Sequence, residues 1–373
     1  MKFLFDIQPA IGQLAGVGRY TRELLRHFPA ALADGECLAA AYFDFHRRGL
    51  PFPPPEAASL ELRPCRWCPG AVAQQLWKRI GCPSYTAFFP KADAYLFPNF
   101  VIPPLPRDAK AAVTIHDVSF LRLPQTTEPK NLRWLTSQIR STAARADAIL
   151  TDSAFSAREI VETLGVPPEK VHPILLGLPS MPPPLPPDRA QALRDGLGLA
   201  RPYILHVGTI EPRKNIPFLL DILAQARDLD ADLVLAGGLG WKTGPILHAL
   251  RTSPLAGRVH LLSHVPDETL TALYDGALAF VFPSLYEGFG LPPLEALARG
   301  TPVLAADNSS LPEVLSPAAT LVRGYDPAVW ADALRELVAA PPDRDALRAH
   351  AARFSYASTA TQTLGVLRRL IRP

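Results

Sequence analysis

Twice along the chain, short apolar runs alternate with stretches of helical spacing, and this repetition limits the fold more than any other feature. In the first series, residues 2–7, 37–43, 94–97, 111–116, 148–151 and 171–175 read as strands, and residues 17–28 read as a helix. A Pro-rich run, 177–187, then interrupts the pattern and reads as a semi-rigid linker. The second series places strands at 203–207, 232–236, 259–262, 279–282, 302–305 and 320–322, with helices at 216–227, 267–276 and 328–339 between them. Such alternation predicts an α/β fold of two doubly wound parallel sheets. The expected division is 1–178 for the first domain, 179–195 for the linker and 196–354 for the second domain, with a last helix at 356–371. Ligands of such sheets bind at the carboxyl ends of the strands, and two such domains leave a cleft between them.

Composition narrows the class. At 48% hydrophobic and 20% charged residues, the chain is globular. A net charge of +3 is too small to argue for nucleic acid. Four cysteines, at 37, 65, 68 and 82, suit a reducing compartment without a disulfide framework. The N-terminus lacks a signal-type apolar core, and no apolar run reaches the roughly 18 residues of a membrane span. The expected location is therefore cytoplasmic, with membrane contact at most peripheral.

The chemistry concentrates in the second half. The run Pro283-Ser-Leu-Tyr-Glu-Gly-Phe-Gly-Leu-Pro-Pro-Leu-Glu295 follows a strand and sets Glu287 in a glycine loop and Glu295 inside the helix that follows. Pro292 and Pro293 suit a first helical turn. A helix N-terminus attracts anions, so the two carboxylates should face hydroxyls, as of a sugar and a ribose. The plain alternative is a surface loop acid and a helix charge.

A second run, Val207-Gly-Thr-Ile-Glu-Pro-Arg-Lys-Asn215, leaves the strand 203–207. Gly208 and Thr209 end the strand and allow close approach of a ligand. Arg213 and Lys214 stand at a helix start, against the helix dipole, with Asn215 as the expected cap. A diphosphate between them would resolve that conflict, held by a fork and a point charge without a metal. A solvated basic corner is the plain reading.

The first half carries weaker signals. Gly16 and Gly18 fit a phosphate-approaching turn, or a tight structural one; Thr21 breaks the full glycine fingerprint of a dinucleotide site. His116 closes the strand 111–116 and points either at the ligand crevice or into the core. Cys65, Cys68 and Cys82 lack an evident fourth zinc ligand. Residues 63–91 hold Arg63, Arg66, Lys78, Arg79 and Lys91 without Asp or Glu, interleaved with aromatics. That character suits an anionic lipid surface, or a packed helix with a solvated face.

Together these motifs resemble the glycosyltransferases of family 4, the retaining, metal-independent class with the GT-B fold of two Rossmann-like domains facing a central cleft. The resemblance rests on Gly16-Val-Gly-Arg-Tyr20, Thr114-Ile-His-Asp117, Gly208 to Asn215 and the block from Glu287 to Glu295. It implies that Glu295 holds the nucleotide ribose and Glu287 the donor sugar. It implies that Gly288 and the N–H groups of Phe289, Gly290 and Leu291 face sugar and diphosphate, and that Arg213 and Lys214 grip the diphosphate. His116 would touch the sugar near its reacting carbon, and Gly16 and Gly18 would form the first-domain loop. No cofactor or metal is expected. Residues 355–373 would return to the first domain. Within the family, the motifs look most like bacterial mannosyltransferases of cell-surface polysaccharide assembly such as lipopolysaccharide, which use GDP-mannose. The implied reaction moves a hexose from a nucleotide diphosphate sugar to a glycan or lipid-linked acceptor. A UDP-sugar donor, a sugar-nucleotide epimerase and an inactive scaffold are the rival readings.

Overall fold

The computed structural model describes residues 1–12 and 16–372; Gln13 to Ala15, within the expected glycine loop, lie outside them. Among the described residues the chain divides into two units. The first comprises Met1–Val118, Arg133–Pro179 and the chain from Phe354 on; the second comprises Ser119–Leu132 and Ser180–Arg353.

In the first unit, β1 (Lys2–Asp6), β2 (Cys37–Phe43), β3 (Leu60–Cys65), β4 (Ala94–Phe97), β5 (Lys110–Thr114), β6 (Ala148–Thr151) and β7 (Val171–Pro173) form one parallel sheet. Their order is β3-β2-β1-β4-β5-β6-β7. The central strands are apolar throughout, as Phe3-Leu4-Phe5 and Ala94 to Phe97 show, because helices cover both faces of a parallel sheet. The strand β3 was not expected. Its sequence, Leu-Glu-Leu-Arg-Pro-Cys, is broken by two charged residues, and Pro64 cannot donate to a ladder. Both features suit its place at the sheet edge.

The final helix, Tyr356–Ile371, belongs to this first unit. It packs on the helix Val17–Ala31, and Arg368 forks onto Glu36 with 2.9 and 2.6 Å contacts. A side chain at Gly177 would place its first carbon 2.0 Å from the backbone nitrogen of Tyr356, so only glycine lets this helix start so close.

The second unit repeats the plan with β8 (Tyr203–Val207), β9 (Asp232–Ala236), β10 (Val259–Leu262), β11 (Ala279–Phe282), β12 (Val303–Ala306) and β13 (Thr320–Val322). The parallel order is β10-β9-β8-β11-β12-β13. Strand order reverses between β8 and β11, and a crevice opens at such a switch point beyond the strands' carboxyl ends.

Two expected boundaries change. The stretch 179–195, expected as linker, is irregular only to Pro186; Pro187–Gly196 is a helix, started by proline at its first turn and packed on the helix Asp267–Gly276. The segment Ser119–Leu132, expected within the first domain, clusters with the second unit. There Trp241 Nε1 donates to the Thr126 carbonyl at 2.7 Å and Lys242 Nζ donates to that of Gln125 at 2.7 Å. Among the described residues no helix is long and apolar enough to cross a membrane.

Candidate active site

The loops leaving β8 and β11 meet at the switch point of the second sheet. The backbone N–H of Leu285 donates to the carbonyl of Arg213 at 2.9 Å and ties one loop to the other. After β8 the chain makes a 3-10 turn, Pro212–Lys214, which carries both cations. Asn215 follows in the left-handed region at φ 54°, a conformation asparagine tolerates. It stands at the expected N-cap position of the helix Ile216–Gln225, though its side chain makes no capping bond.

After β11 the loop runs to Gly290, which precedes the helix Leu291–Arg299 at φ 102°. That backbone conformation strains any L side chain, and one there would also press within 2.7 Å of Leu311 Cδ2, so the turn favours glycine. Pro292 sits in the first turn, and no side chain caps this helix start. Gly288, Phe289 and Gly290 are buried. Thr209 is exposed at the end of β8, and Gly208 is half-buried beside it.

Glu287 lies against Arg213 and Lys214, which stand 74 and 73 positions before it in the chain. Glu287 accepts from Lys214 Nζ on Oε1 at 2.6 Å and from Arg213 Nη1 on Oε2 at 2.9 Å. Arg213 also donates to Glu211 Oε1 at 2.9 Å and to the Tyr286 carbonyl at 2.7 Å. Lys214 Nζ stands 4.9 Å from the centre of the Phe282 ring, a cation–π contact. The sequence reading turns Glu287 toward hydroxyls; in the structure its carboxylate lies between the two cations. Burial would raise the Glu287 carboxyl, but Arg213 and Lys214 outweigh it and hold the group down to about 2. Serine hydroxyls fix the loop: Glu287 N–H donates to Ser309 Oγ at 3.0 Å, and Ser310 Oγ donates to the Glu287 carbonyl at 2.9 Å.

Glu295 is buried one helical turn into Leu291–Arg299, and its Oε2 accepts from Tyr274 Oη at 3.0 Å. Arg299 closes the same helix. It grips Asp275 with two nitrogens and donates to the Pro182 carbonyl at 3.2 Å, pinning the Pro-rich run to the second unit.

His116 lies in the first unit, two residues past the observed end of β5 and not within the strand as expected. Both ring nitrogens are engaged: Nδ1 lies 2.8 Å from Asp152 Oδ2 and Nε2 lies 3.1 Å from the Pro98 carbonyl. Tyr20 packs edge-on against the ring. Burial opposes charge on His116, yet Asp152 raises its pKa above the ordinary value. Gly16 is exposed at the start of the helix Val17–Ala31, and Gly18 is buried inside its first turn. Cys65 and Cys68 are buried and Cys82 exposed; among the described residues no group of three or more His, Cys, Asp or Glu is placed to hold a metal ion.

Sequence reading passed over Glu211, Tyr274, Ser309 and Asp152. Glu211 stood inside the quoted run but was given no role. Ser309 and Asp152 act across 22 and 36 residues, a pairing that only folding creates.

The model of glycosyl transferases group 1 matches residues 192–354, and that of glycosyltransferase family 4 matches residues 14–180. The O-antigen chain mannosyltransferase B of Escherichia coli is 30% identical over 364 residues, covering 94% of this chain and 89% of that one. The chain belongs to glycosyltransferase family 4. A second relative, the D-inositol 3-phosphate glycosyltransferase of Nocardia farcinica, is 36% identical over 236 residues, 58% of this chain and 51% of its own length. Among solved structures, the sucrose-phosphate synthase of Thermosynechococcus elongatus superposes with a TM-score of 0.71 at 19% identity, covering 99% of each chain. The transferase therefore has the GT-B architecture of two parallel-sheet units, and the cation–carboxylate cluster lies in the unit matched by the group 1 model.

Proposed function

We propose that this glycosyltransferase moves mannose from GDP-mannose to a hydroxyl of a glycan or lipid-linked acceptor, with retention at the anomeric carbon. The observation that carries the transfer chemistry is the convergence of Arg213, Lys214, Glu287 and the start of the helix Leu291–Arg299 at one switch point. The choice of mannose is supported by full-length similarity to a mannosyltransferase.

In this reading the donor's diphosphate takes the place of the Glu287 carboxylate between Arg213 and Lys214. The released Glu287 then accepts from sugar hydroxyls, and Glu295 accepts from the ribose. As the sugar–phosphate bond breaks, the two cations and the helix N–H groups neutralise the leaving diphosphate, a role for which no metal is required. In the first unit, His116 is proposed to contact the sugar.

The exposed patch of the first unit supports peripheral binding to an anionic membrane. Trp67 is 65% exposed, and the last turn of the helix Gly70–Ile80 carries the exposed Lys78 and Arg79 beside Ile80, itself 63% exposed.

The deciding experiment incubates the purified protein with GDP-mannose, UDP-glucose and ADP-glucose, each with lipid-linked and soluble glycan acceptors. Mannosyl transfer from GDP-mannose alone is expected. Transfer from a UDP-sugar alone would overturn the donor assignment, and sugar conversion without acceptor would indicate an epimerase. Co-sedimentation with phosphatidylglycerol vesicles, lost in Trp67→Ala with Lys78→Glu and Arg79→Glu, tests the membrane contact.

A further inference from the structure

His206 sits in the middle of β8 with no exposed surface. Its Nδ1 lies 2.9 Å from the carbonyl of Val281, an atom that can only accept, so Nδ1 carries the proton and Nε2 keeps its lone pair. That Nε2 is buried and without a hydrogen-bond partner among the described residues. Burial lowers the imidazole pKa to about 4, so the ring is neutral at ordinary pH.

Lys214 presents the complementary deficit. Its buried ammonium has three N–H groups, and among the described residues one acceptor, Glu287, is placed to receive them. Both groups border the same face of Gly208. A carbon added to Gly208 would lie 3.6 Å from Lys214 Cε and 3.8 Å from His206 Nε2. Phe282 is shared as well: the His206 ring stacks on it at 5.4 Å, and Lys214 Nζ stands over it. Nothing in the sequence motif singles out His206, which precedes the glycine by two positions.

We propose that His206 is a positioning residue for Lys214: its Nε2 accepts from the ammonium when an entering diphosphate draws that group away from Glu287. This deepens the proposed function and rests on its assignment of Lys214 to the diphosphate. A neutral acceptor suits this place, because a second carboxylate would repel the incoming phosphate while an apolar side chain would leave the ammonium's N–H groups unfilled.

The test separates the two ring nitrogens in the full chain. His206→Asn keeps a donor for the Val281 carbonyl and removes the Nε2 acceptor. His206→Gln keeps a polar acceptor where Nε2 stands and loses the Nδ1 donor. The probes are inorganic pyrophosphate and GDP, titrated calorimetrically, with melting temperature measured alongside. A hydrogen bond to a charged group corresponds to about tenfold in affinity. His206→Asn is expected to bind both probes about tenfold more weakly than the parent at an unchanged melting temperature, with His206→Gln closer to the parent. Parent-like binding by His206→Asn, or equal weakening in both variants, overturns the proposal. Lys214→Ala is the control. If it binds pyrophosphate as the parent does, the failure lies in the assignment of Lys214 itself; if it loses binding while His206→Asn does not, the failure lies with His206 alone.

Discussion

Lys214 donates to Glu287 across 2.6 Å in a site where both side chains are buried and Arg213 holds the other carboxylate oxygen at 2.9 Å. Glu211 and Glu287 set two carboxylates against the two cations Arg213 and Lys214. A diphosphate entering this cluster must displace a charge of its own sign. Glu287→Gln removes that competitor. Pyrophosphate should then bind about tenfold more tightly, while the protein by itself loses about 3 kcal/mol because the buried Lys214 ammonium loses its carboxylate and the half-buried Arg213 loses one of its two. Calorimetric titration paired with urea unfolding measures both. Weaker pyrophosphate binding would mean that Glu287 assists the anion instead of competing with it.

Lys214→Ala should leave the fold intact and slow transfer by about two to three orders of magnitude, as loss of a single charge-stabilising donor does. Glu295→Ala should act differently. It lies inside the helix, bonded to Tyr274, and its proposed partner is the ribose and not the leaving diphosphate, so the donor KM should rise with a smaller change in kcat. Steady-state kinetics at several donor concentrations separates the two; an unchanged kcat in Lys214→Ala contradicts its role at the leaving group.

Acid should unfold the second unit in two stages. His206 is held down to about 4, below the ordinary 6.5, so its contribution is whole above pH 6.5 and is lost as pH falls toward 4. Glu287 is held at about 2, below 4.5, so its contribution is whole above pH 4.5 and is lost as pH falls toward 2. Each full shift corresponds to about 3 kcal/mol. His206→Asn should flatten the urea midpoint between pH 6.5 and 4 and leave the lower stage in place. A profile identical to the parent's would contradict the burial of an uncharged His206.

Arg299 is buried and forked onto Asp275, with a third bond to Pro182. Arg299→Ala leaves Asp275 without that partner and frees the Pro-rich run. A loss of about 3 kcal/mol is expected, as for other broken, partly buried pairs. The mid-transition urea concentration reads it directly, and limited proteolysis should cut faster near residues 180–186. A stability within about 0.5 kcal/mol of the parent would place Arg299 among ordinary surface residues.

Much of this was written in local sequence. Buried parallel strands are continuous apolar runs, so β2, β4, β6, β8, β9 and β11 appear at the expected residues, and the edge strands β10 and β13 do so because they too are short apolar-rich runs. The glycine–proline turn before Leu291 was equally legible, since Gly290 and Pro292 each serve a local backbone need. The edge strand β3 was hidden because an exposed strand needs no apolar run. Reading the motif alone also placed Asn215 at the helix cap, where it stands, but not its left-handed backbone or the lack of a side-chain capping bond.

The sequence by itself determined two series of strands and helices, the placing of acids and cations at strand ends, and the family. Folding alone decided the partners: Glu287 between Arg213 and Lys214, His206 against the face of Gly208, Asp152 behind His116, and the last helix beside Val17–Ala31. The reason is range. Backbone geometry is fixed by neighbours a few residues away, but a buried charge is stable only beside a compensating one, and parallel strands bring such pairs together from distant parts of the chain.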